Sequence, residues 1–198
     1  MTHVILQEYY VNQPNDMFIN YAKQYSDMPF VIMLDEDENG YKAGRFVRAS
    51  DLGLSGENNE WKPVIQDKLS QQLLVPNGTM GQRWEEGKKW NLKLETEDGT
   101  PIDPMLSMVE SDYHVETIQF PYFDSSGDGI FERPIATRTI QLANGEEVKI
   151  ATVYDLMTSQ YGVQRFENEL EATSYDDASS KYTPAWQEQI TGIKKELV

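Results

Sequence analysis

RTIQLANGEEVKIATVYDLMTSQYG, residues 138–162, decides the fold, because it carries a hairpin and a helix whose signals can be separated residue by residue. A two-residue Asn-Gly loop would pair Ala143 with Glu146 and place Ile140 and Leu142 on the face opposite Val148 and Ile150. A three-residue loop, Ala143-Asn144-Gly145, sets Ile140 against Val148 and gathers all four apolar residues on one face. Gly145 then takes the left-handed position of a bulge. The bulged turn is therefore predicted. Directly after it, Thr152 and Asp155 have capping-box spacing, Val153, Leu156, Met157 and Tyr161 form one helical stripe read as core, and Gly162 can end the helix.

Working toward the N-terminus, Phe30 to Leu34 is a short continuous apolar run with β-branched residues, read as a strand buried on both faces. Asp35 to Glu38 follow as a solvated acidic tip, and Asn39-Gly40 as a turn into a second strand around GRFVRASDL, residues 44–52. Val4, Ile5, Leu6, Tyr9 and Tyr10 suggest a helix. A second helix carries Met17, Phe18, Tyr21, Ala22 and Tyr25 on its stripe, with Pro14 in its first turn. Near the other end, Thr183, Pro184 and Gly192 mark the N-cap, first position and stop of a short helix with Trp186 and Ile190 one turn apart.

From about residue 55 the pattern weakens, and Pro76-Asn77-Gly78, Pro101 and Pro104 interrupt short strand candidates around Trp61, Trp84, Trp90 and Ile118. The Trp rings are read as staples of a sparse β core. The reading is α+β, one domain over 1–198: a helix-helix-strand-strand part at 1–54, a β-rich irregular excursion at 55–137, and a hairpin with C-terminal helices at 138–198.

Composition narrows the chemistry. The formal charge is -16, from 33 Asp and Glu against 17 Lys and Arg. Such a field repels phosphate backbones, so nucleic acid is a poor partner. There is no Cys, which excludes disulfides, a thiol nucleophile and cysteine-ligated clusters within these residues. The two histidines, His3 and His114, fall in no metal or triad spacing. Asp124, Ser126, Asp128 and Gly129 open like a calcium loop with Glu132 at its ninth position, but Ile135 stands where the closing carboxylate belongs, so an acidic glycine turn is the reading. Gly53, Gly56, Gly78 and Gly81 make no phosphate-binding fingerprint. No catalytic, cofactor-binding or metal residue is assigned. With no apolar run of membrane-spanning length and no signal-peptide pattern after Met1, a cytoplasmic location is expected.

Ordered blocks carry a resemblance. YSDMPFVIMLDE at 25–36, GRFVRASDLG at 44–53, NGTMGQRWEEGKKWNL at 77–92, FPYF at 120–123, TVYDLMTSQYGVQR at 152–165 and TSYDDASSKYTPAWQEQITGI at 173–193 resemble an internal segment of the catalytic α subunit of respiratory, membrane-bound molybdenum nitrate reductases. Residues 93–118 are the clearest gap. Chlorate, perchlorate, selenate and hydrocarbon-oxidising relatives are neighbours, and an autonomous acidic binding module is the rival from another class. The resemblance implies a parent truncated here at both ends, lying at the cytoplasmic face of the membrane and reducing nitrate to nitrite. That parent would hold molybdenum on molybdopterin guanine dinucleotide with a 4Fe-4S cluster, beside an iron-sulfur β subunit and a membrane haem subunit. The implied motifs for metal and cluster find no match in these residues, so none is carried over and the role implied is structural. Tyr175, Tyr182 and Trp186 are then expected to keep faces that the rest of the α subunit covers.

Overall fold

A computed structural model describes residues 1–78, 92–124 and 127–198. In chain order these form α1 (Thr2–Leu6), running on as a π-helical turn Gln7–Asn12, α2 (Asp16–Tyr25), β1 (Val31–Asp37), β2 (Gly40–Phe46), β3 (Ile65–Gln66) and β4 (Leu73–Leu74). They continue as β5 (His114–Asp124), β6 (Gly127–Gln141), β7 (Glu147–Thr152), α3 (Val153–Gln160) and α4 (Pro184–Thr191). The strands β1, β2, β5, β6 and β7 close into a barrel, while β3 and β4 make a separate two-stranded ladder. The chain is α+β.

The β6–β7 hairpin has the predicted turn. Ile140 pairs with Val148 and Arg138 with Ile150, Gly145 has φ 87°, and its N–H donates to the Leu142 carbonyl at 2.9 Å. Ile140, Leu142, Val148 and Ile150 share one cluster with Val31, Met33 and Ala136. The hairpin tip is held by the Ala143 N–H donating to the Asp51 carbonyl at 2.8 Å.

Strand β1 explains its unbroken apolar run. Val31 and Met33 enter the cluster just described. Ile32 and Leu34 enter a second one with Tyr41, Ile118, Ile135 and Ala151. That second cluster draws on every strand of the closed sheet, as the inside of a small barrel must. The middle of the chain covers the outside, with Val64, Ile65, Met105, Leu106 and Met108 all buried. Each such side chain contributes about 1.5–3 kcal/mol relative to exposure.

The seam closes where β2 meets β5 in parallel at Tyr41 and Ile118. A Cβ on Gly40 would lie 2.5 Å from the Thr117 carbonyl, and its φ is +135°, so only glycine lets the strands approach here.

Several local expectations change. Asp37 pairs with Gly40, so the loop is Glu38-Asn39, and Asp35, Glu36 and Asp37 sit on the strand. Pro14 precedes the N-cap Asn15, whose side chain accepts from the Phe18 N–H, and so lies outside the first turn. The second strand stops at Phe46, and Ala49–Leu52 is a 3₁₀ turn. Trp61 is exposed beneath the Arg48 guanidinium, 5.5 Å from its ring, and staples no core. Trp84 and Trp90 lie outside the described residues. Helix α3 has its capping box, yet it buries Tyr154, Asp155, Thr158 and Ser159 while the apolar stripe is half-buried. Among the described residues, no helix is long and apolar enough to cross a membrane.

Candidate functional site

The polar centre of the molecule is the Asp155 carboxylate. The capping box fixes it at the start of α3, where Thr152 Oγ1 accepts from the Asp155 N–H at 2.9 Å. Its Oδ1 accepts from Ser107 Oγ at 2.5 Å and Arg165 Nη1 at 2.9 Å. Its Oδ2 accepts from the Met108 N–H at 2.8 Å and lies 2.9 Å from Thr152 Oγ1. Asp155 is fully buried and the Arg165 side chain is 4% exposed. A fully buried carboxylate that already accepts from Ser107, the Met108 N–H and a cation is closed off from substrate and solvent and serves as a structural group. The site pins the barrel to the middle of the chain. The capping box was readable beforehand, but its link to Ser107, 48 positions away, was not.

A second guanidinium organises the C-terminal stretch. Arg133 Nη1 donates to the Leu170 carbonyl at 3.0 Å, and Nη2 donates to Ser180 Oγ at 3.1 Å and the Lys181 carbonyl at 3.4 Å. Burial draws its pKa below the usual range, with Asp177, Tyr182 and Glu171 opposing. Gly162 closes α3 at φ +68°, and a Cβ there would stand 3.4 Å from the Arg133 guanidinium.

Of the expected interface residues, two come together. Tyr182 stacks on Trp186 at 5.2 Å, Tyr161 at 5.1 Å and Phe131 at 6.0 Å between ring centroids. Tyr175 stands apart, its hydroxyl donating to the Glu8 carboxylate and its ring edge-on to His3 at 5.6 Å. All three are half-buried. Thr183 caps α4, Pro184 is in its first turn, and Gly192 ends it at φ 72°.

His3 is buried, and its Nδ1 donates to the Tyr161 carbonyl at 2.6 Å. Its pKa is lowered mainly by that burial. His114 is exposed on β5. Ser126 and the side chains of Asp124 and Asp128 lie outside the described residues. Among those described, no group of three or more His, Asp or Glu could hold a metal ion. A groove of about 910 Å³ along β1 and β7 is lined by Asp35, Glu36, Glu146 and Glu147, with Lys149 beside Tyr41 and Arg45 paired to Asp51. Lys149 donates to Glu116 at 2.5 Å, so an anion entering this groove meets uncompensated negative charge.

Known proteins match this chain along its whole length. It is 47% identical over 199 positions to the nitrate reductase alpha chain of Bacillus subtilis (strain 168), covering 100% of this chain and 16% of that one. It is 38% identical over 212 positions to the respiratory nitrate reductase 1 alpha chain of Escherichia coli (strain K12), covering 100% of this chain and 17% of the relative. The nitrate reductase alpha subunit of Mycobacterium tuberculosis (strain ATCC 25618 / H37Rv) is 37% identical over 201 positions, with 98% and 16% covered. No family model matches the chain.

Proposed function

Because this chain is a homologue of one segment of the nitrate reductase alpha chains, we propose that it serves as a structural segment of the catalytic α subunit of a respiratory nitrate reductase. In this reading the parent is an oxidoreductase that reduces nitrate to nitrite at a molybdenum centre held by molybdopterin guanine dinucleotide. A 4Fe-4S cluster lies nearby, and an iron-sulfur subunit and a membrane haem subunit feed it electrons at the cytoplasmic face of the membrane. The observation that carries the reading is 47% identity across 100% of this chain, within 16% of the relative.

The described residues do not fit the ligand sets of those groups. There is no Cys for a cluster. Asp155 already accepts from Ser107, Met108 and Arg165. Arg133 Nη1 and Nη2 and Arg165 Nη1 donate to protein oxygens, while Arg133 Nε and Arg165 Nε and Nη2 are buried without a partner among the described residues. The acidic groove opposes a pyrophosphate. No chemical step is therefore assigned to these residues. Their part is to supply a closed barrel with a well-pinned outer cover, on which neighbouring parts of the subunit rest.

The test is a nitrate assay with a reduced dye, run with molybdenum and iron analysis on the isolated chain and on the α subunit that contains it. The subunit is expected to turn over, and the isolated chain to bind neither metal and to be inactive. Robust turnover by the isolated chain would overturn the structural assignment.

A further inference from the structure

Helix α2 has two faces of opposite character. Phe18, Ile19 and Ala22 turn inward onto Leu6, Leu106 and Tyr154. Lys23, also buried, reaches Asp103 at 2.5 Å. On the outer side, Met17, Tyr21 and Tyr25 recur one turn apart and are 80%, 63% and 55% exposed. The rings of Tyr21 and Tyr25 are 5.3 Å apart. Tyr9, whose carbonyl accepts from the Asn15 N–H just before the helix, is exposed as well.

This stripe is uncharged on a chain of formal charge -16. Along the outer side of the helix only Asp16 carries charge, in the first turn, where the helix dipole favours an acid. Tyr and Met without Lys, Glu or Asp is the composition of the core of a protein interface. A second copy of this chain would bring its own net charge of the same sign, which opposes self-association. These residues account for 16% of the Bacillus subtilis relative, so most of a subunit of that length lies outside them and can supply the covering surface.

We infer that the Met17–Tyr21–Tyr25 stripe of α2 is a docking surface for an uncharged, apolar face of the α subunit outside these residues. This rests on the functional reading above and names a contact it leaves open. The half-buried Tyr182–Trp186 stack already finds partners within the chain. The α2 stripe has far more surface left to cover.

Tetranitromethane nitration of tyrosine, read by peptide mass spectrometry, tests the inference on the isolated chain and on the intact α subunit that carries it. Tyr21 and Tyr25 are expected to react readily in the isolated chain and at least about tenfold more slowly in the subunit. Equal reactivity in both would overturn the docking surface. So would protection already present in the isolated chain and lost on dilution, which would point to self-association. A double variant, Tyr21→Glu with Tyr25→Glu, should leave the urea midpoint of the isolated chain unchanged and lower the yield of soluble subunit; an unchanged yield counts against the inference. Nitrate turnover is followed in parallel. Protected tyrosines in a subunit without turnover would remove the functional reading alone, and turnover with reactive tyrosines would remove the docking surface alone.

Discussion

Arg165 and Arg133 are buried guanidiniums solved in two ways. Arg165 meets a buried carboxylate, Asp155, at 2.9 Å and lies over the Phe166 ring at 4.8 Å. Arg133 has no carboxylate of the described residues within ion-pair distance; it spreads its charge over carbonyls of residues 132, 170 and 181 and the Ser180 hydroxyl. The first arrangement gathers the start of α3, the end of β7, the Ser107 turn and the coil at Arg165 on one carboxylate. The second wraps coil around a strand. A charge pair fixes two elements at one point, whereas a fork of donors to backbone carbonyls shapes a whole loop.

The sharpest way to break this contrast is Asp155→Ala, which leaves the Arg165 charge buried and alone. A loss of about 3–5 kcal/mol in urea unfolding is expected. Adding Arg165→Met should restore part of it, because the uncompensated cation goes too. If the single variant costs less than about 1 kcal/mol, Asp155 is not the pin described here.

Next in size is Arg133→Met. It removes donors to the 170–181 loop but also removes a desolvated charge, so a loss of about 1–3 kcal/mol is expected. The loop should become the preferred site of limited proteolysis. Arg133→Lys should not rescue it, since a compact ammonium cannot reach the oxygens that the separate Nη1 and Nη2 of the planar guanidinium fork bridge. Full rescue by lysine would show that charge alone matters at this position.

Sequence legibility follows how local each cause is. The bulged turn at Gly145, the Thr152–Asp155 box and the Thr183-Pro184 start were readable because each is decided within a few residues. The face of α3 was read in part: Val153, Leu156, Met157 and Tyr161 do pack against the core clusters, half-buried, but the deepest side chains of the helix include polar ones. Asp155 and Ser159 are buried because Ser107 and the Pro134 carbonyl, far away in sequence, satisfy them, while Thr158 turns its hydroxyl back onto the Tyr154 and Asp155 carbonyls of its own helix. Barrel closure was likewise invisible, since Tyr41 and Ile118 meet through a single parallel pairing. On α2, the stripe read from the pattern held Met17, Phe18, Tyr21, Ala22 and Tyr25, whereas packing takes Phe18 and Ala22 from it, adds Ile19, and leaves Met17, Tyr21 and Tyr25 exposed. The stripe left outside became the docking surface proposed above.

A smaller effect tests the far end of the Arg133 region. The folded-state pKa of His3 is depressed by burial from 6.5, so the unfolded chain takes up a proton first as pH falls. Its stabilising contribution is complete above about pH 6.5 and is lost as pH drops through that value toward the lower folded pKa. Urea midpoints between about pH 7.5 and 5.5 should fall for the natural chain and fall less for His3→Gln. Parallel slopes would mean that His3 is not the group responsible.

The smallest expected effect comes from an ion pair whose geometry is better than that of either buried arginine. Arg45 donates to both Asp51 oxygens, at 2.6 and 2.8 Å, and this bond is the first cause holding the Asp51 pKa below its usual value. Yet the Arg45 side chain is 52% exposed, so water and salt already solvate its charge in the unfolded and folded chain alike. Arg45→Gln should therefore cost only about 0.2–1 kcal/mol. The difference should shrink toward zero at about 1 M salt, where screening acts over about 3 Å. Asp155→Ala should keep its full cost at the same salt, because the buried pair is screened far less. A salt-independent Arg45 effect as large as that of Asp155 would mean that geometry, not burial, sets the strength of ion pairs in this barrel.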